Sequence, residues 1–387
     1  MARREAPAAG PGSRALIVDV IRSAGAISRV ELAELTSLTQ PSISNIVRDL
    51  IADGVVHETG TTADSARGKP RKLLALQAAN RFGIGFQLGP ESITCVAIDL
   101  TGGVVGREVV PLDDSPLPDL LAVRFDDFTA ALDLPLDRIE GLAVVGPTAR
   151  PGHEADYPDW KTGRAELADR LKLPVLVEND AAAAALGEFW SRRVSREQTF
   201  GSVYLSTGIG AGLVFGGSLF RGASFDAGEL GHLSIQYDGR PCPCGNQGCV
   251  ERYASMAATV EAARADPELA ARLPLDGTLS SAYDAIAQAA VGGHVEAFAV
   301  VDRAAGHLSV AVTSMVNLLD LGRVVLTGPG VAVAGSIYAR RLRAHLARTA
   351  HARRRHEIAV ELSAQPRDAA AIGAAALVVQ ASIAPGH

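Results

Sequence analysis

The sequence predicts an α/β protein of two related lobes behind a small helical head of the winged helix-turn-helix type. Three observations carry that prediction. Short β-rich runs alternate with helical stretches from about residue 79 onward. Three helical patterns and then a basic hairpin occupy the first 78 residues. Charge is divided as well, with 10 Lys+Arg against 8 Asp+Glu in residues 1–78 and 27 against 35 in residues 79–387. Those balances, +2 and −8, sum to −6 over the 387 residues, a length that accommodates a small head and a two-lobed body. An acidic body is a poor surface for nucleic acid. No run of about 18 apolar residues and no charged-then-apolar leader is present, so a cytoplasmic location without a membrane partner is expected.

Met1 to Pro11, rich in Ala, Pro and Gly, is expected to be disordered, and the head to span residues 12–78. Ser13 to Ile21 carries an apolar helical pattern through Ala15, Leu16, Ile17, Val18, Val20 and Ile21, broken at Ser23-Ala24-Gly25. Ser28 suits the N-cap of a second short helix, with Glu31 as capping-box partner and an end near Thr36. Thr39 then precedes Gln40-Pro41, a cap followed by a helix-starting proline. Ile43, Ile46, Val47, Leu50 and Ile51 recur at helical spacing on one face, which leaves Ser42, Ser44, Asn45 and Arg48 on the other. Hydroxyls, an amide and a guanidinium on an exposed face that begins at Gln40 suit a recognition helix in a major groove.

Val55 to Glu58 reads as a strand, Thr59 to Asp64 as a polar turn, and Leu73 to Leu76 as the returning strand. The cations before that strand, Arg67, Lys69, Arg71 and Lys72, are interrupted by Gly68 and Pro70. Such a wing suits phosphate contacts or an arm in a minor groove. In the first lobe, residues 79–190, strands are expected at Gly83–Leu88, Ile93–Leu100, Gly103–Pro111, Ile139–Val145 and Pro174–Val177, with a helix near Leu117–Leu132. Asp180 follows a strand end, a usual place for site residues in an open sheet. The second lobe, residues 191–366, begins with strands Phe200–Ser206 and Gly212–Phe215. A helix at Ala254–Ala263, another at Leu308–Leu319, a strand at Arg323–Leu326 and an Ala-rich closing helix within 367–381 follow.

The stretch from His232 to Glu251 places one imidazole and three thiols at a spacing that suits a single tetrahedral zinc. Cys242, Cys244 and Cys249 form a C-x-C-x4-C run, with Gly245 and Gly248 for tight turns, and His232 completes four ligands. A site without an open position reads as structural. The alternative, a disulfide pair with a spare thiol, belongs to oxidising compartments. The fourth cysteine, Cys95, lies in an apolar run. Glu229, three residues before His232, and Glu251 could converge beside that loop, where carboxylates and a ring N–H serve a polyhydroxyl ligand.

Those residues belong to a longer succession: Glu178-Asn179-Asp180-Ala181, then Leu205 to Gly212, then Phe220-Arg221-Gly222-Ala223, then Ala227 to His232 and the cysteine cluster. From about residue 80 to the C-terminus the chain thereby resembles the ROK family of repressors, open reading frames and sugar kinases. The head with its basic wing is similar to that of the ROK repressors. The resemblance implies an actin-like, ribonuclease-H-like fold whose closing helix packs back on the first lobe, and an oligomer interface in the second. It implies that Asp180 matches the family's general base, that Asn179 binds sugar, and that Glu229, His232 and Glu251 complete the sugar site. It also implies zinc on His232, Cys242, Cys244 and Cys249, so that one ring nitrogen of His232 holds the metal and the other orients a ligand.

The phosphate side departs from the family pattern. Where kinases of the family have D-x-G-G-T-K, this chain has Gln87-Leu88-Gly89-Pro90-Glu91-Ser92. Gln87 lacks the charge that positions magnesium, Pro90 removes a backbone donor, Glu91 repels phosphate and Ser92 replaces the lysine. The glycine loop Thr207 to Gly212 is retained. The turn Leu326-Thr327-Gly328-Pro329-Gly330 carries a proline, and Val145-Gly146-Pro147-Thr148 lacks the second glycine of the family's G-x-P-G turn. The expectation is a sugar-responsive regulator without kinase activity. Its partners would be double-stranded, palindromic operator DNA, a sugar or sugar phosphate, and further copies of itself as a homodimer or homotetramer. Two alternatives stand beside it: an ATP-dependent sugar kinase with a regulatory head, and a ligand-independent DNA-binding oligomer.

Overall fold

Ser28 accepts a hydrogen bond from the Glu31 N–H while the Glu31 carboxylate accepts one from the Ser28 N–H, a capping box that starts the second helix of the head. The computed structural model describes residues 11–61, 71–113, 115–146, 160–192, 199–223 and 226–383. The head comprises α1 (Pro11–Ala24), β1 (Ile27–Ser28), α2 (Arg29–Thr36), α3 (Gln40–Ala52), β2 (Val56–Thr61) and β3 (Lys72–Leu76). Its sheet has the order β1-β3-β2, with both pairings antiparallel. Thr39 caps α3, Pro41 sits in its first turn, and Ile43, Val47 and Leu50 are buried. The strand expected to end at Glu58 continues to Thr61, where it pairs with Lys72 after a bulge. Arg67, Lys69 and residues 1–10 lie outside the described residues, while Pro11, the last residue of the segment expected to be disordered, begins α1.

The first lobe is built from β4 (Phe82–Leu88), β5 (Ser92–Asp99), β6 (Val104–Pro111), α4 (Leu117–Ala131), β7 (Ile139–Gly146), α5 (Trp160–Leu171), β8 (Val175–Asn179) and α6 (Asp180–Ser191). The second contains β9 (Phe200–Leu205), β10 (Ile209–Phe215), β11 (Ser218–Leu219), α7 (Glu251–Ala254), α8 (Met256–Arg264), α9 (Pro267–Arg272), α10 (Leu279–Val291), α11 (Val295–Leu319), β12 (Arg323–Thr327), α12 (Gly335–Thr349) and β13 (Ala359–Leu362). The last helix, α13 (Ala369–Ile383), packs on α6, β4, β7 and β5 of the first lobe. The two sheets, β6-β5-β4-β7-β8 and β11-β10-β9-β12-β13, share one plan. In each, three strands form an antiparallel meander and two more add in parallel. This repetition is what an actin-like body consists of.

Two helices that the sequence pattern does not reveal belong to the first lobe. In α6 every residue from Ala181 to Trp190 is buried, because the helix packs on α13 and on β9 and β10. A helix covered all round has no polar stripe, so its sequence carries no 3.6-residue alternation. Its small side chains allow close approach: a Cβ added at Gly373 of α13 would lie 1.7 Å from the Ala183 carbonyl oxygen. The helix α5 is the other. In the second lobe α9, α10, α12 and β13 are likewise elements that the sequence reading does not place, and the remaining corrections concern boundaries. The helix expected at 308–319 begins at Val295, the one expected at 254–263 is interrupted at Ser255, which caps α8, and the closing helix runs 369–383 rather than 367–381.

The head meets the body through Arg22. Its side chain is 1% exposed, pairs with Asp19 at 2.7 Å, and donates to the Trp190 carbonyl at 3.0 Å. The guanidinium also stacks 4.8 Å from the Trp190 ring and 5.0 Å from the Phe189 ring. Trp190 in turn lies over Gly102.

Candidate functional site

Asn179 ends β8 and caps α6, its side-chain oxygen accepting from the Ala181 and Ala182 N–H groups at 2.8 and 3.2 Å. That use leaves the amide NH2 for a ligand. Asp180, the first residue of α6, accepts from the Ala181 N–H at 2.8 Å. Burial pushes its carboxyl up to about 6; the Ala181 N–H opposes the rise and the charge of Glu229 adds to it. Burial likewise raises Glu229, with His232 opposing and Asp226 and Glu251 adding. The expected carboxylates therefore do converge, with the Glu229 charge acting on Asp180 and the Glu251 charge on Glu229.

Glu251 opens α7, and its Oε2 accepts from the Ile209 N–H at 3.2 Å. It fills the space a side chain would need at position 208, since a Cβ there would lie 2.4 Å from Glu251 Oε2. The retained glycine run has a structural use. Only Ser206 to Gly208 forms the turn, while Gly210 and Gly212 lie inside β10 against α6. A Cβ at these two positions would fall 2.5 Å from the Ala181 Cβ and 2.4 Å from the Ala185 Cβ. The expected loop is a strand whose glycines admit a helix.

Gln87, in place of the family's metal-positioning carboxylate, is buried at the end of β4 and donates to the Tyr204 hydroxyl of β9 at 2.5 Å. Its other polar atom, Oε1, is buried without a hydrogen-bond partner among the described residues. Burial holds the Tyr204 phenol well above its ordinary value, and the Asp180 charge adds to this. A hydrogen bond from one lobe to the other therefore occupies the Gln87 amide. Gly89, Pro90 and Glu91 form the turn between β4 and β5. Sequence reasoning missed a second link between the lobes: Glu178, 9% exposed, pairs with Arg221 at 2.7 Å. Both residues stand in the quoted motifs, but only the fold brings β8 beside the segment that follows β11.

The cysteine loop is ordered by local bonds. Gly245 donates to the Cys242 carbonyl at 3.0 Å and Cys242 to the Asn246 carbonyl at 2.9 Å. Gly248, at φ 71°, passes so close to Gln236 that a Cβ would lie 1.7 Å from its carbonyl oxygen. All four cysteines are free in this structure. The donor atoms of His232, Cys242, Cys244 and Cys249 lie within 4.8 Å of one another. His232 Nδ1 is 3.6 Å from the Cys242 sulfur, and the Cys244 and Cys249 sulfurs are 3.7 Å apart. This donor set fits a tetrahedral metal ion. The other ring nitrogen, Nε2, faces Glu229 Oε2 at 3.8 Å, so the imidazole lies between the thiols and the carboxylates. Behind the loop, Tyr253 stacks on His307 at 5.1 Å and on Arg240 at 5.0 Å.

On α3, Gln40, Ser44, Asn45 and Arg48 are exposed. Ser42 is half-buried and committed to the cap, its hydroxyl 2.9 Å from that of Thr39. Arg71 is exposed, and Lys72 pairs with Glu58. Among the described residues no helix is long and apolar enough to cross a membrane.

With this geometry, the chain is similar to known proteins along most of its length. The xylose repressor of Bacillus subtilis (strain 168) is 28% identical over 255 residues, 64% of this chain and 66% of that one. The xylose repressor of Caldicellulosiruptor bescii is 26% identical over 390 residues, 95% of each chain. The DNA-binding transcriptional repressor Mlc of Escherichia coli (strain K12) is 26% identical over 331 residues, 80% of this chain and 79% of Mlc. A solved ROK family transcriptional regulator, a homolog of the E. coli MLC protein, shares the fold at a TM-score of 0.75, over 97% of both chains and with 24% identity. A ROK family glucokinase from Streptomyces griseus, solved with glucose and AMPPNP, has a TM-score of 0.63 and 26% identity, covering 76% of this chain and 98% of its own. The model of the ROK family matches residues 84–381, more than three quarters of the protein, and the chain belongs to that family.

Proposed function

We propose that this protein is a sugar-responsive, DNA-binding transcriptional repressor and not a kinase. One observation carries the reading. The sugar-side groups Asp180, Glu229, His232 and Glu251 converge, while Gln87, where phosphoryl transfer needs a carboxylate, is consumed in a hydrogen bond to Tyr204. The names of the repressors to which it is similar support the same assignment. The ligand is a sugar or sugar phosphate whose hydroxyls donate to the carboxylates and accept from the Asn179 amide. The head contacts a palindromic operator through Gln40, Ser44, Asn45 and Arg48, with the basic wing on phosphates, in a homodimer or homotetramer.

The metal is structural zinc. With Zn–S near 2.3 Å, the corners of a tetrahedron lie about 3.8 Å apart, close to the spacing of the sulfurs. Bound there, zinc holds the loop and fixes the His232 ring, leaving Nε2 as an oriented donor beside Glu229. Occupancy of the site reaches the head through α6. The helix begins at the ligand-binding pair Asn179-Asp180 and ends at Trp190, on which Arg22 is anchored. A ligand that draws the lobes together by binding one conformation better displaces that anchor and the register of two heads on a palindrome.

The test combines two measurements on zinc-loaded protein. A thermal-shift screen of monosaccharides, amino sugars and their phosphates, with and without Mg-ATP, identifies the ligand by mass action. Gel shifts on duplexes selected from a random pool then measure release. The expected result is stabilisation by one sugar, indifferent to ATP and lost in Asp180→Ala and Glu229→Ala, with release of DNA by the same sugar. Sugar-dependent ATP turnover would establish the kinase. A flat screen with intact DNA binding would leave a ligand-independent oligomer.

A further inference from the structure

The body is acidic as a whole, yet between Arg340 and His356 it carries seven arginines, three histidines and no acidic residue. Arg340, Arg341, Arg343 and Arg348 lie on α12, and Arg353 and Arg354 on the single helical turn His351–Arg354, with Arg355 next. All seven are exposed. Four have local partners: Arg341 reaches Asp302 at 3.4 Å, Arg340 stacks on Phe298 at 5.3 Å, and Arg343 and Arg353 donate to the Val360 and Ala350 carbonyls. Arg348, Arg354 and Arg355 make no ion pair among the described residues. Holding seven guanidiniums together with one carboxylate, Asp302, paired among them costs stability through self-repulsion, and their fork geometry matches phosphate oxygens.

The patch lies toward the end of the body that bears the head. Arg192, which caps α6 two residues beyond Trp190, pairs with Glu361 of β13 and donates to the Leu362 carbonyl at 2.6 Å. Arg355 is six residues before Glu361, so it lies within about 20 Å of that pair even if the chain between is extended. That reach is shorter than one turn of duplex, about 34 Å. The ligand-binding pair, by contrast, is at the opposite end of α6. We propose that this arginine face is a second DNA-contact surface, which grips phosphates of the duplex that flanks the segment read by the head. It rests on the reading of the head as DNA-binding and adds a surface that the overall charge of the body conceals.

The test uses full-length protein and a random-sequence duplex of about 40 base pairs, with the triple variant Arg348→Gln, Arg354→Gln and Arg355→Gln. Removing one guanidinium from a phosphate lowers the dependence of log K on log salt by about 0.9, so the slope should fall by about 2 to 3. Melting temperature, oligomeric mass and sugar response should be unchanged. An unchanged slope and affinity in the triple variant would overturn the proposal, as would a change in mass, which would make the face an interface between copies. A companion variant, Asn45→Ala with Arg48→Ala, separates the two readings. Binding that survives only through the patch identifies the arginines and disqualifies the head; absence of any duplex binding by the unaltered protein removes both.

Discussion

Asp180 shows how a single residue trades stability for binding. Its carboxyl titrates at about 6 in the folded protein, above the value near 3.9 in an unfolded chain. The native state therefore holds this proton more tightly. Its contribution is full below about pH 4, and is lost as pH rises through 6, where burial next to Glu229 makes the ionised group a liability. Asp180→Asn should stabilise the protein by about 1–3 kcal/mol at pH 7.5 and by little at pH 4, while abolishing sugar binding; denaturant melts at the two pH values check the sign. The residue types at the site were legible in the sequence as E-N-D-A, E-x-x-H and the cysteine run. The pairing of Gln87 with Tyr204 was not, because it joins residues 117 positions apart. A glutamine in a degenerate motif signals only a lost charge, and its new partner is a matter of how two sheets meet.

Two elements invite separate tests. The cysteine loop should depend on its metal: Cys249→Ser, or chelation, should lower the melting temperature, release about one zinc per chain and remove the sugar response. Cys95→Ser should leave zinc content unchanged, since Cys95 lies buried in β5 and burial pushes its thiol up to about 12. Helix α6 is the other element. Arg22→Met takes the guanidinium away from Asp19 and from the Trp190 carbonyl and should lower stability by about 1–3 kcal/mol. Adding Asp19→Asn should restore part of that loss. In both variants the sugar should still bind while release of DNA weakens, measured by calorimetry beside gel shifts. The caps of α2 and α3 could be read residue by residue because capping is local. The helices α6 and α13 differ in this respect: both are buried nearly all round, so a reading based on amphipathic period finds α13 only by its alanine content and misses α6.

At the scale of the molecule, the duplicated sheet plan sets the proposed ligand site between the lobes, and α6 runs from Asp180 in that site to the end on which Arg22 of the head rests. Coupling of a few kcal/mol along this route suffices for induction. Glu178→Gln should weaken the bond to Arg221 and shift the balance between open and closed lobes, changing sugar affinity several-fold with little effect on operator affinity in its absence. Titration calorimetry and operator binding, measured side by side, separate those two quantities.

What the sequence determined by itself is whatever is encoded locally or by residue type: the capped helices of the head, the His–Cys cluster at its spacing, and the acidic and glycine-rich motifs of the body. What only the tertiary structure decided is which distant groups share a space. Gly210 and Gly212 read as a phosphate loop until α6 is seen lying against them. That the arginines of α12 lie on an edge tied to the end of α6 follows only from the fold, where Arg192 pairs with Glu361. Short-range bonding and composition are written along the chain, whereas helix-on-sheet packing and charge placement arise from contacts between segments that no local pattern records.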